Sequence, residues 1–303
     1  RHAPLSEGKL VGDFIQCPYH GLEYDASGAC VRVPGQSNVP PDCRVRSYLA
    51  VERHQWIWVW MGDPALANPD DIEDFHWMDA PGWVAKGERM HLKGNYKLLI
   101  ENLLELSHLA YIHATTLGTG AIAEEQMTFD RGDRDVSLTR WIMDSPVSNM
   151  FQKLGGFEPN EHVDRWQRVT WTPPAFVKLD VGAARANTGA IDGDRSQGFG
   201  YRNLNAITPE TDGTSHYFWA QARDFRVDED WISDLFVQST HEAFSEDLWI
   251  IGLQQENMDT GTTHPRIDIN HDGAAIQAIR MLEAMIEAEN GAAGAVSGAQ
   301  AAE

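Results

Sequence analysis

The 303 residues hold three cysteines, Cys17, Cys30 and Cys43, too few and too odd in number to staple a disulfide-built domain. A reducing compartment with one thiol committed to a metal fits that count better, and a cytoplasmic location is the expectation. Positive charge is scarce as well, since 24 Lys and Arg stand against 45 Asp and Glu for a formal charge of −21. A surface of that sign repels phosphate backbones and anionic lipid, so neither nucleic acid nor membrane is expected as a partner. No stretch of about 18 apolar residues could span a bilayer, and there is no charged-then-apolar leader and no internal repeat. What is present is enough chain for one large or two ordinary domains, with 11 Trp to thicken a core or line a cavity.

In chain order, the first segment reads as short strands joined by turns. Phe14 to Gln16 leads into Cys17-Pro-Tyr-His20-Gly21, Leu22 to Tyr24 and Ala29 to Val33 flank a turn, and Val45 to Glu52 and Trp56 to Met61 are joined by Arg53-His54-Gln55. This gives a small all-β unit over residues 1–63. The composition then shifts to Asp, Pro, Trp and Ala from Pro64 to Met90, read as a linker and the entry to a second domain over residues 64–290. There Asn95 to His113 reads as helix. Strand-like runs follow at Asp135 to Met143, Arg165 to Trp171, Phe176 to Val181, Tyr201 to Thr208 and His216 to Phe225. The segment Ala183 to Gln197, with its Gly and Asp and no periodicity, is expected to be a mobile loop. A long helix from Glu229 to Met258, capped by Asp228, and a last helix from Ala274 to Asn290 complete the domain. The Gly, Ala, Ser and Gln of residues 291–303 read as a disordered tail. Antiparallel strands around one long helix predict an α+β chain whose second domain is a helix-grip sheet with an internal cavity.

The chemistry concentrates between Asn102 and His113, where two imidazoles and a carboxylate sit in one short apolar segment. Glu105 and His108 share a helical face, whereas His108 and His113 lie about 140° apart on an ideal helix. The helix must therefore loosen near Tyr111 for both rings to meet one ion. Two imidazoles with a carboxylate from elsewhere form the facial triad of non-haem Fe(II) oxygenases, with positions left open for oxygen. A pair of ordinary buried histidines is the competing reading.

The long helix offers the missing carboxylate. Ile232, Phe236, Ala243, Phe244, Ile250 and Ile251 recur at spacings of three and four, and Asp247 falls inside that apolar stripe. A carboxylate there needs a partner, since a buried unpaired charge costs at least several kcal/mol. A metal would supply it, and so would a buried salt bridge. Glu246 is the alternative ligand, but it points toward Glu242 and Trp249 on a more polar edge, so Asp247 is favoured.

Two resemblances gather these pieces. Arg1-His2-Ala3-Pro4-Leu5-Ser6-Glu7-Gly8 followed by Cys17-Pro-Tyr-His20-Gly21 resembles the second part of a Rieske [2Fe-2S] motif. The match implies that the first Cys and His of the motif lie just before Arg1, that His2 is not a ligand, and that Cys17 and His20 supply half of a cluster site. The order Asn102-x2-Glu105-x2-His108-x4-His113, then Asp247 with Gln254-Gln255 beyond it, resembles the catalytic domain of Rieske non-haem iron oxygenases, most closely the vanillate O-demethylase and dicamba monooxygenase branch. Gly94 to Asn102 and Ile207 to Asp212 before His216-Tyr-Phe-Trp219 extend that resemblance.

The family resemblance implies iron ligands His108, His113 and Asp247, catalytic roles for Asn102 and for Glu105 as the bridge between metal centres, and a homotrimer. Most of the family has Asp where this chain has Glu105. It also implies electrons from an NADH- or NADPH-dependent ferredoxin-type reductase, O2 as co-substrate, and an aromatic carboxylate as substrate. O-demethylation of a methoxybenzoate in aromatic catabolism is the expected reaction, and ring hydroxylation is the other outcome known in the family. Because the net charge repels an anion, the pocket must supply local donors, and His216 is the first candidate. A Rieske electron carrier and a hydrophobe-binding helix-grip protein are the readings from other classes. Iron content separates the three.

Overall fold

The computed structural model describes residues 3–113, 127–261 and 267–300. His2, discussed above as a non-ligand, lies outside these residues. Contacts divide the chain into two compact units, Arg1–Asp74 and Phe75–Glu303.

The first unit is built of hairpins. Strands β1 (Lys9–Val11), β2 (Phe14–Gln16), β3 (Glu23–Tyr24) and β4 (Cys30–Arg32) form a four-stranded sheet in sequential order. Strands β5 (Leu49–Arg53) and β6 (Trp56–Trp60) make a separate two-stranded ribbon. His54 and Gln55 turn that ribbon with φ of 55° and 59°, the paired left-handed conformations of a tight hairpin whose twist matches its strands. All three cysteines are free thiols.

The second unit has a seven-stranded sheet, every neighbouring pair antiparallel, in the order β7-β13-β12-β11-β10-β9-β8. Its strands are β7 (Val84–Leu92), β8 (Met127–Arg131), β9 (Val136–Pro146), β10 (His162–Thr172), β11 (Phe176–Arg185), β12 (Gly198–Thr211) and β13 (Thr214–Arg223). The helices are α1 (Tyr96–Leu103), α2 (Asn149–Gly155), α3 (Asp230–Asp259) and α4 (Gly273–Gln300). Leucines of α1, Trp171 and Trp219 of the sheet, Phe244 and Ile251 of α3, and Ala278 and Leu282 of α4 share one buried core. Along β10 the side chains alternate, so Val163, Arg165, Gln167, Val169 and Trp171 share the helix-covered face while Trp166 points to the other.

Several expected elements move. The strand β7, read as linker, is the sheet's edge partner of β13; its run Lys86-Gly-Glu-Arg89 is too polar to signal a strand and follows from pairing with its neighbour. β11 continues to Arg185, into the segment expected to be a loop, because Ala183 and Ala184 pair with Phe199 and Gly198. The cap of α3 is Glu229 rather than Asp228, with no side-chain capping bond. The helix α4 continues beyond Asn290 to Gln300, across much of the expected tail, and residues 301–303 lie outside those described. Among the described residues no helix is long and apolar enough to cross a membrane.

Candidate metal centre and its cavity

The helix α1 starts under Asn95, whose side chain accepts from the Lys97 amide, and packs Leu98, Leu99, Ile100 and Leu103 into the core. It ends at Leu103, earlier than the loosening expected near Tyr111. Residues His108–Ala110 then form a single 3-10 turn. The cause is local: Glu105 folds back and accepts from the amides of Ser107 and His108, which withdraws those donors from an α-helical ladder. Leaving the helix frees the two histidines from its angular spacing. Their rings lie 5.4 Å apart, nearly perpendicular, both presented to one point.

That point is Asp247, on the buried stripe of α3 formed with Phe236, Thr240, Ala243, Phe244 and Ile251. His113 Nε2 lies 3.1 Å and His108 Nε2 3.6 Å from Asp247 Oδ1, and one donor atom from each residue falls within 4.8 Å of the others. An ion held at about 2 Å by each of three donors places those donors about 3–4 Å apart, so the spacing fits a mononuclear metal. The opposite ring nitrogens face carboxylates, His113 Nδ1 at 2.7 Å from Glu246 and His108 Nδ1 at 3.4 Å from Glu105. Carboxylates only accept, so these pairings put each ring proton on Nδ1 and turn the Nε2 lone pairs toward Asp247. In neutral rings these electron-rich atoms repel at this range, and either a metal ion or an added proton on His113 Nε2 relieves that repulsion. Asn102 Nδ2 donates to Asp247 Oδ1 at 3.0 Å and fixes its rotamer, while Asn102 Oδ1 is buried without a hydrogen-bond partner among the described residues.

Burial lowers the His113 pKa, but the hydrogen bonds and charges of Asp247 and then Glu246 outweigh it and raise it overall. Burial alone would also raise the Glu105 carboxyl; hydrogen bonds from His108 and Ser107 overcome that and hold it down at about 2. Glu105 is thus an anion, half-buried beside His108, at neutral pH.

The triad opens on a cavity of about 520 Å³, a size suited to a small aromatic molecule. Leu106, Leu109, Leu179, Val181, Phe236 and Phe244 give it an apolar lining, and Arg140, Arg165, Tyr201, Asn203 and Gln221 give it polar points. Arg140 is held by Gln167, to which it donates from two nitrogens, and by the Leu106 carbonyl at 3.3 Å. Burial raises Tyr201 to about 12, with Arg165 pulling the other way, so it is a neutral phenol here.

The structure brings together Asn102, Glu105, His108, His113 and Asp247, but not His216. That residue does not line the cavity. Alternation along β13 puts Tyr217 and Trp219 inside, while His216 faces outward to Glu210 at 3.8 Å and to its cross-strand neighbour His91. Glu246, weighed in the sequence as the alternative ligand, pairs instead with His113 Nδ1, and the inward-facing Arg140 and Arg165 went unread there. Their signal is faint but present, because Val163, Arg165, Gln167 and Val169 alternate along one strand, placing two polar residues on an otherwise apolar face.

In the first unit, Cys17 and His20 lie on one closed turn. Cys17 donates its amide to Leu22 O at 2.8 Å and accepts from the Gly21 amide at 3.1 Å, with Gly21 at φ +72° where a side chain would be strained. The half-buried thiol and exposed imidazole suit one Cys and one His ligand of a Rieske cluster.

Comparison with known proteins agrees with both halves. Residues 92–288 match the vanillate O-demethylase oxygenase C-terminal domain, and residues 1–48 match the Rieske [2Fe-2S] domain. The chain is similar to the iron-sulfur subunit of the toluene-4-sulfonate monooxygenase system of Comamonas testosteroni, 40% identical over 96% of this chain and 84% of that one. It is also similar to a vanillate O-demethylase oxygenase subunit from a Pseudomonas species, 34% identical over 99% and 92%. Among solved structures, dicamba monooxygenase with non-heme iron and dicamba superposes with a TM-score of 0.79 at 29% identity, covering 96% of this chain and 84% of that one.

Proposed function

The chain belongs to the vanillate O-demethylase family of Rieske non-haem iron oxygenases, and we propose that it oxidises a small aromatic acid, its first reaction being O-demethylation of a methoxybenzoate. The observation that carries this reading is the convergence of two imidazoles and a carboxylate on one wall of a cavity sized for a single aromatic ring. When bound, a [2Fe-2S] cluster and a mononuclear Fe(II) supply one-electron transfer and the reductive activation of O2. Overall, the methoxy group, O2, two electrons and two protons yield phenol, formaldehyde and water. The methyl carbon becomes a hemiacetal, which breaks its C–O bond as the ring oxygen takes up a proton.

The chain's own residues prepare this chemistry. His108, His113 and Asp247 would hold the iron, and Cys17 and His20 would hold part of the cluster. Glu246 fixes the His113 ring, Asn102 fixes the Asp247 carboxylate, and the apolar wall from Leu106 to Phe244 excludes bulk water from the reacting carbon. Glu105 is the anion that would link the centres, from the cluster of one subunit to the iron of the next in a homotrimer. A ferredoxin-type reductase drawing on NADH or NADPH would deliver the electrons, which suits a cytoplasmic protein.

Oxidation of an aromatic sulfonate is the second reading, favoured by the 40% identical relative and by the guanidinium groups on the cavity wall. Turnover of methoxybenzoates and toluene-4-sulfonate with a reconstituted reductase tests both. Formaldehyde released in step with O2 consumption supports the first, and oxidised sulfonate the second. Oxygen consumption that no aromatic acid stimulates contradicts both.

A further inference from the structure

Building on the aromatic-acid reading above, we infer that Arg165 is the specificity residue that binds the substrate's anionic group, carboxylate or sulfonate. Of the two guanidinium groups that line the cavity among the described residues, Arg140 already has donors committed to Gln167 and Leu106. The Arg165 guanidinium makes no hydrogen bond or ion pair with any described residue. Its recorded contact is a cation–π stack, with the guanidinium carbon 4.9 Å from the centre of the Phe151 ring. A stack of this kind holds the planar fork while leaving the in-plane N–H donors available. Burial lowers the Arg165 pKa, yet a guanidinium stays charged at any physiological pH.

A half-buried cation without a counter-ion is costly, and a ligand anion is the natural remedy. Among the described residues the cavity is lined by one carboxylate, Asp247, and the metal triad occupies it. The remaining polar wall cannot neutralise Arg165: Asn203 Oδ1 and Gln221 Oε1 are neutral oxygens, each buried without a hydrogen-bond partner among the described residues. Tyr201, a neutral phenol on the same wall, can donate beside the fork. A flat oxyanion attached to a ring matches the paired N–H geometry of arginine, while the ring is left to the apolar lining. This local cation also answers how a chain of charge −21 admits an anion, because the surface repulsion is screened beyond about 8 Å and the half-buried guanidinium on the cavity wall acts inside that distance.

The test measures binding and turnover of the metal-replete enzyme with 4-methoxybenzoate and toluene-4-sulfonate, and with their neutral amides. Arg165→Met keeps the bulk and removes the charge, and Arg165→Lys keeps the charge and removes the fork. The inference expects the dissociation constants of the two anions to rise about 10- to 100-fold in Arg165→Met, with less than about threefold change for the amides. Arg165→Lys should recover part of the loss, and kcat for bound substrate should change little. Equal weakening of acids and amides in Arg165→Met, with Arg165→Lys no better, would assign Arg165 a packing role and overturn the inference. Wild-type enzyme that binds amides as tightly as acids would also overturn it. Anion binding that depends on Arg165 without any oxidation would uphold the anion site while removing the O-demethylation reading.

Discussion

His113 Nδ1 lies 2.7 Å from Glu246 Oε2, so the ring that offers Nε2 to the metal position is held from behind by a carboxylate on the same helix as Asp247. Adjacent residues of α3 thus act on opposite sides of one imidazole. Replacing Glu246 by Gln keeps the size and removes the charge. Iron affinity should fall about 10- to 100-fold, read by competition with a chelator, while the Rieske absorption is retained. An unchanged affinity would mean that the ring is oriented by packing alone.

Glu105→Gln should leave both metal centres loaded and slow the single-turnover oxidation of the reduced cluster in the presence of substrate. The pH dependence has a defined sign. Hydrogen bonds hold the Glu105 carboxyl at about 2, below its ordinary 4.5, so its contribution is complete above 4.5 and is lost only as pH falls toward 2. The wild-type electron-transfer rate should therefore show no inflection from Glu105 between about pH 5 and 8. Wild-type rates in the Gln variant would place the bridge elsewhere.

His216→Ala should leave KM for a methoxybenzoate within about twofold of wild type, because the ring faces Glu210 and His91 on the outer side of the sheet. A large, acid-selective rise in KM would return His216 to the substrate site.

Tyr217 and Asn205, both fully buried, are joined by a 2.6 Å hydrogen bond from the phenol to Asn205 Oδ1. Tyr217→Phe strands that oxygen, at a cost of about 1–3 kcal/mol, and should lower the denaturation midpoint of the second unit. A midpoint equal to wild type would show that Asn205 finds another donor.

The three residues that converge at Asp247 and the antiparallel sheet with its long helix were legible in the sequence for a physical reason. A carboxylate in an apolar helical stripe and a histidine pair in an apolar segment are expensive unless they share a task, so Asp247, His108 and His113 stood out. Glu246 was weighed only as a rival to Asp247, because an acidic residue one position off the buried stripe looks like a solvated edge, and only tertiary placement reveals His113 behind it. Arg165 was read only as the start of a strand-like run, and the pattern Arg165, Gln167, Val169 does not by itself say that this face borders a cavity. His216 misled for the converse reason: its place in a family-like segment says nothing about which face of the sheet it occupies, and a strand reverses that face at every residue. The strand β7 owes its form to the neighbour it pairs with, which no local pattern records.

Iron analysis of the metal-replete enzyme and of its His113→Ala and Asp247→Ala variants tests the central claim most directly. For a chain that carries all four Rieske ligands, the expected wild-type content is about three irons, with about two retained in each variant alongside an intact Rieske spectrum and no substrate oxidation. Full mononuclear iron in either variant, or undiminished turnover without it, would contradict the assignment of His108, His113 and Asp247 as the catalytic iron site.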